Sequence, residues 1–357
     1  MVNHNILVIN PGSTSTKIAV YQNDNMLFEE TIRHSNEELS KFSAIPDQKD
    51  YRYEQVANAL KAHDFKLSNI NAVAARGGII KPISGGVYEI NDAMYKDLTE
   101  SKASMHASCI AGIIGYELAK EYDIKSYIVN PVVVDEMSDI AKVSGIPQIS
   151  RQPAWHALNQ KEIAKQCAND LGKTYQECNF VISHMGGGVT IAAHDHGQAV
   201  DVNHGIDGEG PFSPERCGGL PLRPVLNMIK SGELTFEEVE SFTNKKGGLV
   251  AYFDTNDLRV VEEMISNGDE QAKLVFDAMA YQIAKEIGAM SAVLKGDIDA
   301  IILTGGLAYS EKFVSEISNY VKFIADIRVY PGENEIEALT QGVLDVLNGQ
   351  EEVKIYK

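Results

Sequence analysis

The residues best suited to chemistry form a short polar segment at positions 10–17. Its sequence is NPGSTSTK, and it stands between two apolar runs, at 6–9 and 18–20. This pattern predicts a strand, a turn and a second strand. Backbone N–H groups, hydroxyls, an amide and an ammonium could all reach an anion there, and Gly12 has no side chain to hold the anion away. The segment suggests a phosphate-binding turn, and an ordinary Gly/Ser hairpin loop is the alternative.

The chain contains a second hairpin of the same kind. Residues 179–193 match residues 5–19, with an apolar run followed by a glycine-containing turn, here GGG. Two further matches occur in the same order along the chain: 75–79 with 303–307, and 129–135 with 329–335. Matches that keep their order indicate an internal duplication.

The alternation of apolar runs and amphipathic stretches predicts an α/β protein of two duplicated domains. We expect an N-terminal domain at 1–150, completed by the C-terminal helix at 336–357, and a C-terminal domain at 151–335. The second domain is longer, and its insertion is placed at about 204–257, where Gly and Pro are dense. The two hairpins are expected to face a shared interdomain cleft. Neither a Rossmann nor a Walker motif is present, because GGG does not match G-x-G-x-x-G and Lys17 does not follow a glycine.

Composition narrows the possible partners. The 357 residues carry a formal charge of −18, which argues against nucleic acid or an anionic membrane as a partner. No apolar run has the roughly 20 residues of a membrane span, so we expect a cytoplasmic protein. The four cysteines form no C-x-x-C pair and indicate neither a disulfide framework nor a zinc site.

A small anion remains a possible ligand, because it needs only a local concentration of positive charge. Basic residues occur in or beside the Gly- and Pro-rich turns: Lys17, Arg76, Arg151, Arg216 and Arg223. Taken singly, each of these residues is better explained as a solvated surface charge. Together, beside turns of this kind, they favour an anion site.

Together these motifs resemble the acetokinase family, within the superfamily of acetate and sugar kinases, Hsp70 and actin. The nearest branch is that of the butyrate and branched-chain fatty acid kinases. The resemblance covers nearly the whole chain and is carried by NPGSTSTK at 10–17, ARGG at 75–78, NPVVVD at 130–135, SHMGGG at 183–188, TGG at 304–306 and ENE at 333–335. It implies two ribonuclease H-like domains of the actin-like ATPase type.

The resemblance also implies the reaction. Such kinases transfer the γ-phosphoryl group of ATP to a short-chain carboxylate, reversibly, giving an acyl phosphate and ADP with Mg²⁺ as the metal. A short fatty acid is already ionised at pH 7, so no general base is required. Butyrate or a branched C4–C5 acid is the expected acceptor, and acetate or propionate is the alternative. A remote alternative is an actin-like ATPase that acts on a protein partner. The family generally forms homodimers, so a homodimer or a higher homo-oligomer is expected.

Individual roles follow from the matched motifs. Asn10 matches an asparagine that contacts the transferring phosphoryl group, and Arg76 matches an arginine beside the acyl substrate. Arg223 is preferred as the second arginine, and Arg216 is the alternative because the alignment through this Pro-rich loop is loose.

The remaining catalytic and metal residues are assigned in the same way. His184 matches the histidine that opens the second hairpin. His156 corresponds loosely to a second phosphoryl-binding histidine, and a structural role at a helix N-terminus is its alternative. Asp135 and Glu335 match acidic residues near Mg²⁺. The implied phosphate and nucleotide contacts are Gly12, Ser13, Ser15, Lys17, Gly186, Gly187, Gly188, Gly305 and Gly306.

Overall fold

The computed structural model describes residues 3–100 and 107–357. The strands, labelled in chain order, are β1 Asn5–Pro11, β2 Ser15–Gln22, β3 Asn25–Arg33, β4 Ala72–Ala75, β5 Val87–Glu89, β6 Lys125–Val129, β7 Asn179–Met185, β8 Val189–Asp195, β9 Gln198–Val202, β10 Ala300–Gly305, β11 Ile327–Pro331 and β12 Lys354–Ile355. The helices are α1 Asn36–Leu39, α2 Lys49–Ala62, α3 Asp92–Glu100, α4 Cys109–Tyr122, α5 Asp139–Lys142, α6 Ala157–Asp170, α7 Leu222–Ser231, α8 Phe236–Asn244, α9 Gly248–Phe253, α10 Leu258–Ser266, α11 Glu270–Val293, α12 Glu311–Val321 and α13 Glu335–Leu347.

The chain divides into two compact units. The first comprises Met1–Val134 and Asn334–Lys357, and the second is Asp135–Glu333. The division therefore falls at Val134, before the sequence-based boundary near residue 150. Residues just after Val134 belong to the second unit because they bind its strands. For example, the Ser138 N–H donates to Val200 O at 2.9 Å.

Each unit is built on a sheet with the same order of five strands. In the first unit the order is β3-β2-β1-β4-β6, and the sheet continues through β5 and β12. In the second unit the order is β9-β8-β7-β10-β11. The first three strands of each order are antiparallel, and the last two run parallel to the central strand. The two sheets thus share one topology, as the duplication predicts.

The apolar run at 127–134 predicts a strand of that length, but β6 ends at Val129. Asn130 has a φ of 39°, and Pro131 follows it. A left-handed residue followed by a proline turns the chain out of the sheet. The strand prediction was therefore too long at its C-terminal end.

The helices cover both faces of each sheet. Helices α2 and α4 pack on one face of the first sheet, and α11 and α12 pack on one face of the second. Within α11, buried Val275, Met279, Ile283 and Ile287 repeat every fourth residue and so form one apolar stripe. This stripe anchors the long helix to the second sheet.

The opposite faces are covered by α6 and α13 in a reciprocal way. Helix α6 follows β6 of the first unit along the chain, but it packs on β7 and β10 of the second. Helix α13 follows β11 of the second unit, but it packs on β1, β4 and β6 of the first. Gly342 permits this packing, since a Cβ there would lie 2.5 Å from Cγ1 of Val129.

The predicted insertion at 204–257 contains α7, α8 and α9. Helices α7 and α8 contain no buried residue, although Leu222 and Phe236 are large and apolar. Across residues 3–100 and 107–357, no helix has both the length and the apolarity needed to cross a membrane.

Candidate active site

The first predicted hairpin is formed by β1 and β2. Asn10 pairs with Lys17 across the ladder, and the Gly12 N–H closes the turn by donating to Ser15 O at 2.8 Å. Gly12 and Ser13 are exposed in this turn. The Lys17 side chain forms an ion pair with Glu29 on β3, with Nζ and Oε1 3.2 Å apart. Lys17 therefore lies along the sheet beside the turn.

Arg52 of α2 supports this turn from its buried side. Its Nη1 donates to the carbonyl oxygens of Gly12 and Ser15 at 2.9 and 3.0 Å, and its Nη2 donates to Ser13 O at 3.0 Å. A further bond joins Nη1 to Thr16 Oγ1 at 3.1 Å. The side chain is only 1% exposed, and burial lowers the pKa of Arg52 to about 10. Sequence reasoning missed this residue, because an arginine in an amphipathic helix resembles an ordinary solvated charge.

His34 completes the support of Thr16. Its Nε2 lies 2.8 Å from Thr16 Oγ1, and its Nδ1 lies 3.3 Å from the Tyr51 hydroxyl. Burial, followed by the nearby charge of Arg52, lowers the pKa of His34 to about 4. His34 is therefore neutral at physiological pH.

Asn10, Arg76 and Glu335 converge beside the same hairpin. Asn10 Nδ2 donates to Glu335 Oε2 at 2.8 Å, and Arg76 Nη2 lies 2.9 Å from Glu335 Oε1. Glu335 is the first residue of α13, and Arg76 directly follows β4. The structure thus joins two predicted catalytic residues and one predicted metal ligand through a single carboxylate.

The second hairpin has a shorter turn than the first. His184 of β7 pairs with Thr190 of β8, and the Gly186 N–H donates to Gly188 O at 3.0 Å. The matched pair in the first hairpin is Asn10 with Lys17, so one residue fewer separates the strands here. Because side chains alternate across a sheet, this difference moves Thr190 to the position of Lys17. The sequence alignment, which matched Thr190 with Thr16, is wrong after the turn.

Two predicted histidines lie together in the second unit. The rings of His156 and His184 are stacked, with centroids 3.9 Å apart and an angle of 14° between planes. Asn159 Nδ2 donates to Glu333 O at 2.7 Å, which turns its Oδ1 toward His184 Nδ1, also at 2.7 Å. An acceptor at this position requires the His184 proton on Nδ1.

Thr190 orients the other histidine. His156 Nδ1 lies 2.8 Å from Thr190 Oγ1, which accepts a bond from Gln160 Nε2 at 2.9 Å. The backbone N–H of His156 also donates to this oxygen, at 3.5 Å, so both lone pairs of the Thr190 hydroxyl are occupied. The hydroxyl therefore donates its proton to Nδ1 of a neutral His156 ring, whose own proton is on Nε2. Behind this contact, Gln160 Oε1 lies 3.0 Å from Nε2 of buried His194. His156 also directly precedes α6, which is the position expected if it has a structural role at the N-terminus of this helix.

Arg216, rather than Arg223, lies against the glycines of the second hairpin. A Cβ added to Gly188 would lie 2.0 Å from Arg216 Nη1, so a side chain at 188 and the present guanidinium exclude each other. Arg216 Nη1 also donates to Gly205 O at 2.7 Å, and burial lowers its pKa. Arg223 is exposed in the first turn of α7. The choice between Arg223 and Arg216 as the second arginine therefore stays a prediction, and the position of Arg216 beside the hairpin favours Arg216.

The other glycines and acids have distinct surroundings. Gly305, with a φ of 87°, ends β10 so close to β7 that a Cβ would lie 2.5 Å from Met185 O. Gly306 is exposed, and Gly186 lies beside Glu333, whose Oε1 would be 3.4 Å from an added Cβ.

Asp135 pairs with Lys142, with Oδ2 and Nζ 2.7 Å apart. Among the residues the structure describes, no group of three or more His, Cys, Asp or Glu side chains could hold a metal ion. A protein-built metal cage is therefore not part of the described site.

The repeated five-strand sheet, with a hairpin turn at the same position in both copies, defines an α/β protein of the actin-like ATPase fold. The structure is similar to the acetate kinase of Porphyromonas gingivalis, with a TM-score of 0.79 and 19% identity over 96% of this chain and 100% of that one. It is also similar to the acetate kinase of Entamoeba histolytica, with a TM-score of 0.77 and 20% identity over 95% and 98%. At these identities the similarity establishes the fold, and it confirms the fold predicted from the sequence.

Sequence comparison gives the family. Residues 113–340 match the model of the acetokinase family. A relative from Clostridium botulinum (strain Alaska E43 / Type E3), named probable butyrate kinase, is 46% identical over 355 residues, which cover 99% of this chain and 100% of that protein. The chain therefore belongs to the acetokinase family. The family prediction is confirmed, and the chain is a carboxylate kinase that uses ATP.

Proposed function

We propose that this kinase transfers the γ-phosphoryl group of ATP to butyrate or a branched C4–C5 acid, reversibly, giving an acyl phosphate and ADP. The observation that carries the proposal is the convergence of Asn10 and Arg76 on Glu335 beside an anion-sized turn. An amide donor and a guanidinium there suit a phosphoryl group and a carboxylate acceptor. The name of the Clostridium botulinum relative supports butyrate as the acceptor.

A carboxylic acid as the phosphoryl acceptor reduces what the protein must supply for catalysis. Its carboxylate is ionised at neutral pH, so catalysis needs positioning and charge neutralisation rather than a general base. In this proposal Arg76 binds the acid, Asn10 donates to the transferring group, and the turn that contains Ser13 and Ser15 binds phosphate. Substrate binding would take both donors from Glu335.

In the second unit we assign to Arg216 the role of the second arginine, which neutralises charge on the phosphoryl group. It lies half-buried against the glycine turn, whereas Arg223 is exposed on α7. His156, with its proton on Nε2, can donate to a phosphoryl oxygen while neutral. His184 presents the lone pair of its Nε2 and gains a donor there only as an imidazolium. Gly305 and Gly306 are the proposed contacts of the adenosine.

Asp135 and Glu335 have the hard oxygen donors that Mg²⁺ prefers, and a metal carried mainly by phosphates and water needs only one or two of them. Each carboxylate pairs with a cation here, Asp135 with Lys142 and Glu335 with Arg76. The same carboxylates could therefore exchange these partners for Mg²⁺. When bound, the metal would neutralise charge on the phosphates.

We further propose a cytoplasmic protein that forms a homodimer or a higher homo-oligomer. Cys167 and Cys178 are buried free thiols, which suits a reducing compartment. Exposed Leu222 and Leu226 on α7, at 72% and 55%, offer apolar surface for association. Analytical ultracentrifugation would give the oligomeric state.

An acid screen tests the proposed reaction. ATP, Mg²⁺ and hydroxylamine are incubated with C2 to C5 carboxylic acids, and the acyl hydroxamate is measured. We expect butyrate or a branched C4–C5 acid to give the highest kcat/KM, with the Arg76→Ala variant as the negative control. Acetate preferred over butyrate would indicate the alternative specificity. No product with any acid would overturn the proposal.

The screen also ranks the C2 to C5 acids as substrates. One methylene in a pocket changes kcat/KM by only about 10- to 200-fold. The ranking of acids therefore needs measured kcat/KM values for each acid, with Mg²⁺ and ATP held saturating.

A further inference from the structure

The turn between β1 and β2 is held by one guanidinium rather than by its own backbone alone. Among the residues that the structure describes, no carboxylate pairs with Arg52. Its hydrogen-bond partners are the carbonyl oxygens of Gly12, Ser13 and Ser15, the Thr16 hydroxyl and Gln48 Oε1. Every one of these partners is a neutral oxygen. The positive charge is therefore buried without a counter-charge at its hydrogen bonds.

This arrangement fixes the orientation of the turn. In a trans peptide the carbonyl and the following N–H point in opposite directions. The carbonyls of Gly12 and Ser13 point to Arg52, so the N–H groups of Ser13 and Thr14 point away from it, toward the outer side of the turn. Successive N–H groups that face one way form an anion-binding concavity.

The buried charge has a second effect. A cation with neutral partners, in a region that excludes water, adds a positive potential to the turn that is screened less than that of a surface lysine. Arg52 thus provides both the geometry and part of the charge for an anion that it does not itself contact.

We propose that Arg52 is a positioning residue for phosphoryl transfer, which holds the turn at 12–16 in its anion-binding conformation. The proposal rests on the proposed function, because it takes this turn to be the phosphate-binding one. A purely structural arginine is the competing explanation, and it would affect only the amount of folded protein.

The test compares Arg52→Met and Arg52→Lys with a matched control, Val56→Ala. Val56 lies one turn further along α2, is 1% exposed and packs in the apolar core of the first unit, so its truncation reduces stability without changing the turn. The thermal melting temperature, kcat, the KM values and the affinity for ATP without acid are measured for each, well below the melting temperature.

We expect Arg52→Met to lower kcat by about 100-fold and to weaken ATP binding by about 10-fold, because small misplacements of binding groups have effects of this size. The KM of the acid should stay within about twofold, because Arg76 is unchanged. Arg52→Lys keeps the positive charge but lacks the planar guanidinium that donates to several carbonyls at once, so its kcat should be about 10-fold lower. If Arg52→Met does not fold, Arg52→Lys carries the test.

Two results separate this inference from the proposed function. If the wild type phosphorylates a short acid but the Arg52 variants match Val56→Ala in kcat per folded protein and in ATP affinity, the positioning role is overturned. If the wild type phosphorylates no short acid, the proposed function fails, and the loss of ATP affinity in Arg52→Met still decides the role of Arg52.

Discussion

The two hairpins have the same place in their sheets but are supported differently. In the first, Thr16 lies on the face covered by α2, where Arg52 and His34 bind it. In the second, Thr190 lies on the face covered by α6, where His156 and Gln160 bind it. A turn shorter by one residue accounts for this change of face.

The comparison shows how a duplicated fold acquires two different sites. A one-residue difference in a turn exchanges the faces of every later side chain on the strand. The first hairpin has the Arg52 guanidinium behind its turn, whereas the second has the stacked rings of His156 and His184. We propose that the first hairpin binds phosphate and that the histidines of the second contact the transferring group, so that one supersecondary unit supports two different sites.

Arg216 should give the largest effect. Arg216→Ala is expected to lower kcat by about 1,000-fold, since it removes a half-buried charge beside the glycine turn. Arg223→Ala, an exposed residue seven positions away in the sequence, serves as the control and should stay within about twofold. Steady-state assays with butyrate decide between them. The reverse outcome would restore Arg223 as the second arginine.

The glycines of the two turns should respond unequally. A Cβ at Gly188 would lie 2.0 Å from Arg216 Nη1, whereas a Cβ at Gly12 would meet Ser15 Oγ at an ordinary 3.4 Å. We expect Gly188→Ala to lower kcat by about 100-fold through displacement of Arg216. Gly12→Ala should change kcat by less than about fivefold. Equal losses in the two variants would contradict the difference drawn between the turns.

Replacing Thr16 or Thr190 by valine removes the hydroxyl but keeps the shape of the side chain, so the two variants compare the role of the hydroxyl in each hairpin. Thr190→Val removes the hydroxyl that orients His156, and kcat should fall by roughly 10- to 100-fold. Thr16→Val leaves Arg52 bonded to three carbonyls, so kcat should fall by less than about tenfold. Circular dichroism melts show whether both variants fold. A larger kinetic loss at Thr16 would mean that the hydroxyl, rather than the carbonyls, holds the first turn.

His34 should affect stability without affecting turnover. Its folded pKa of about 4 is below the ordinary histidine value of 6.5, so between these pH values the unfolded chain binds a proton that the folded chain does not. The stability that neutral His34 contributes is complete above pH 6.5 and is lost as the pH falls toward 4. Melting temperatures of wild type and His34→Gln, measured from pH 7 to 4.5, should therefore converge at low pH. Parallel curves would show that His34 does not titrate in this window.

Much of the fold could be predicted from the sequence because local patterns determine it. The amphipathic stretch at 108–122 predicts a helix, and α4 is observed at Cys109–Tyr122. The C-terminal helix expected at 336–357 begins within one residue of its expected start, at Glu335, but ends at Leu347, two residues before Gly349. Amphipathic spacing and a nearby turn residue suffice for such elements. The repeated motifs gave the duplication for the same reason.

The contacts that support the site could not be predicted in this way. Arg52 binds residues 36 to 40 positions away, and nothing in the sequence of α2 indicates that its guanidinium is buried. The alignment of the two hairpins also did not show that the second turn is one residue shorter, because Thr190 matched Thr16 by chance. Arg216 and Arg223 could be separated only by burial, which depends on the whole loop.

The reciprocal placement of α6 and α13 has a consequence for synthesis on the ribosome. The second unit is one continuous stretch, Asp135–Glu333, and can close as soon as it has emerged. The first unit, although translated earlier, must wait for α13 before one face of its sheet is covered. One apolar face of the first sheet therefore stays uncovered during most of the synthesis of the chain. We expect chaperones that bind exposed apolar surface to bind the first unit rather than the second.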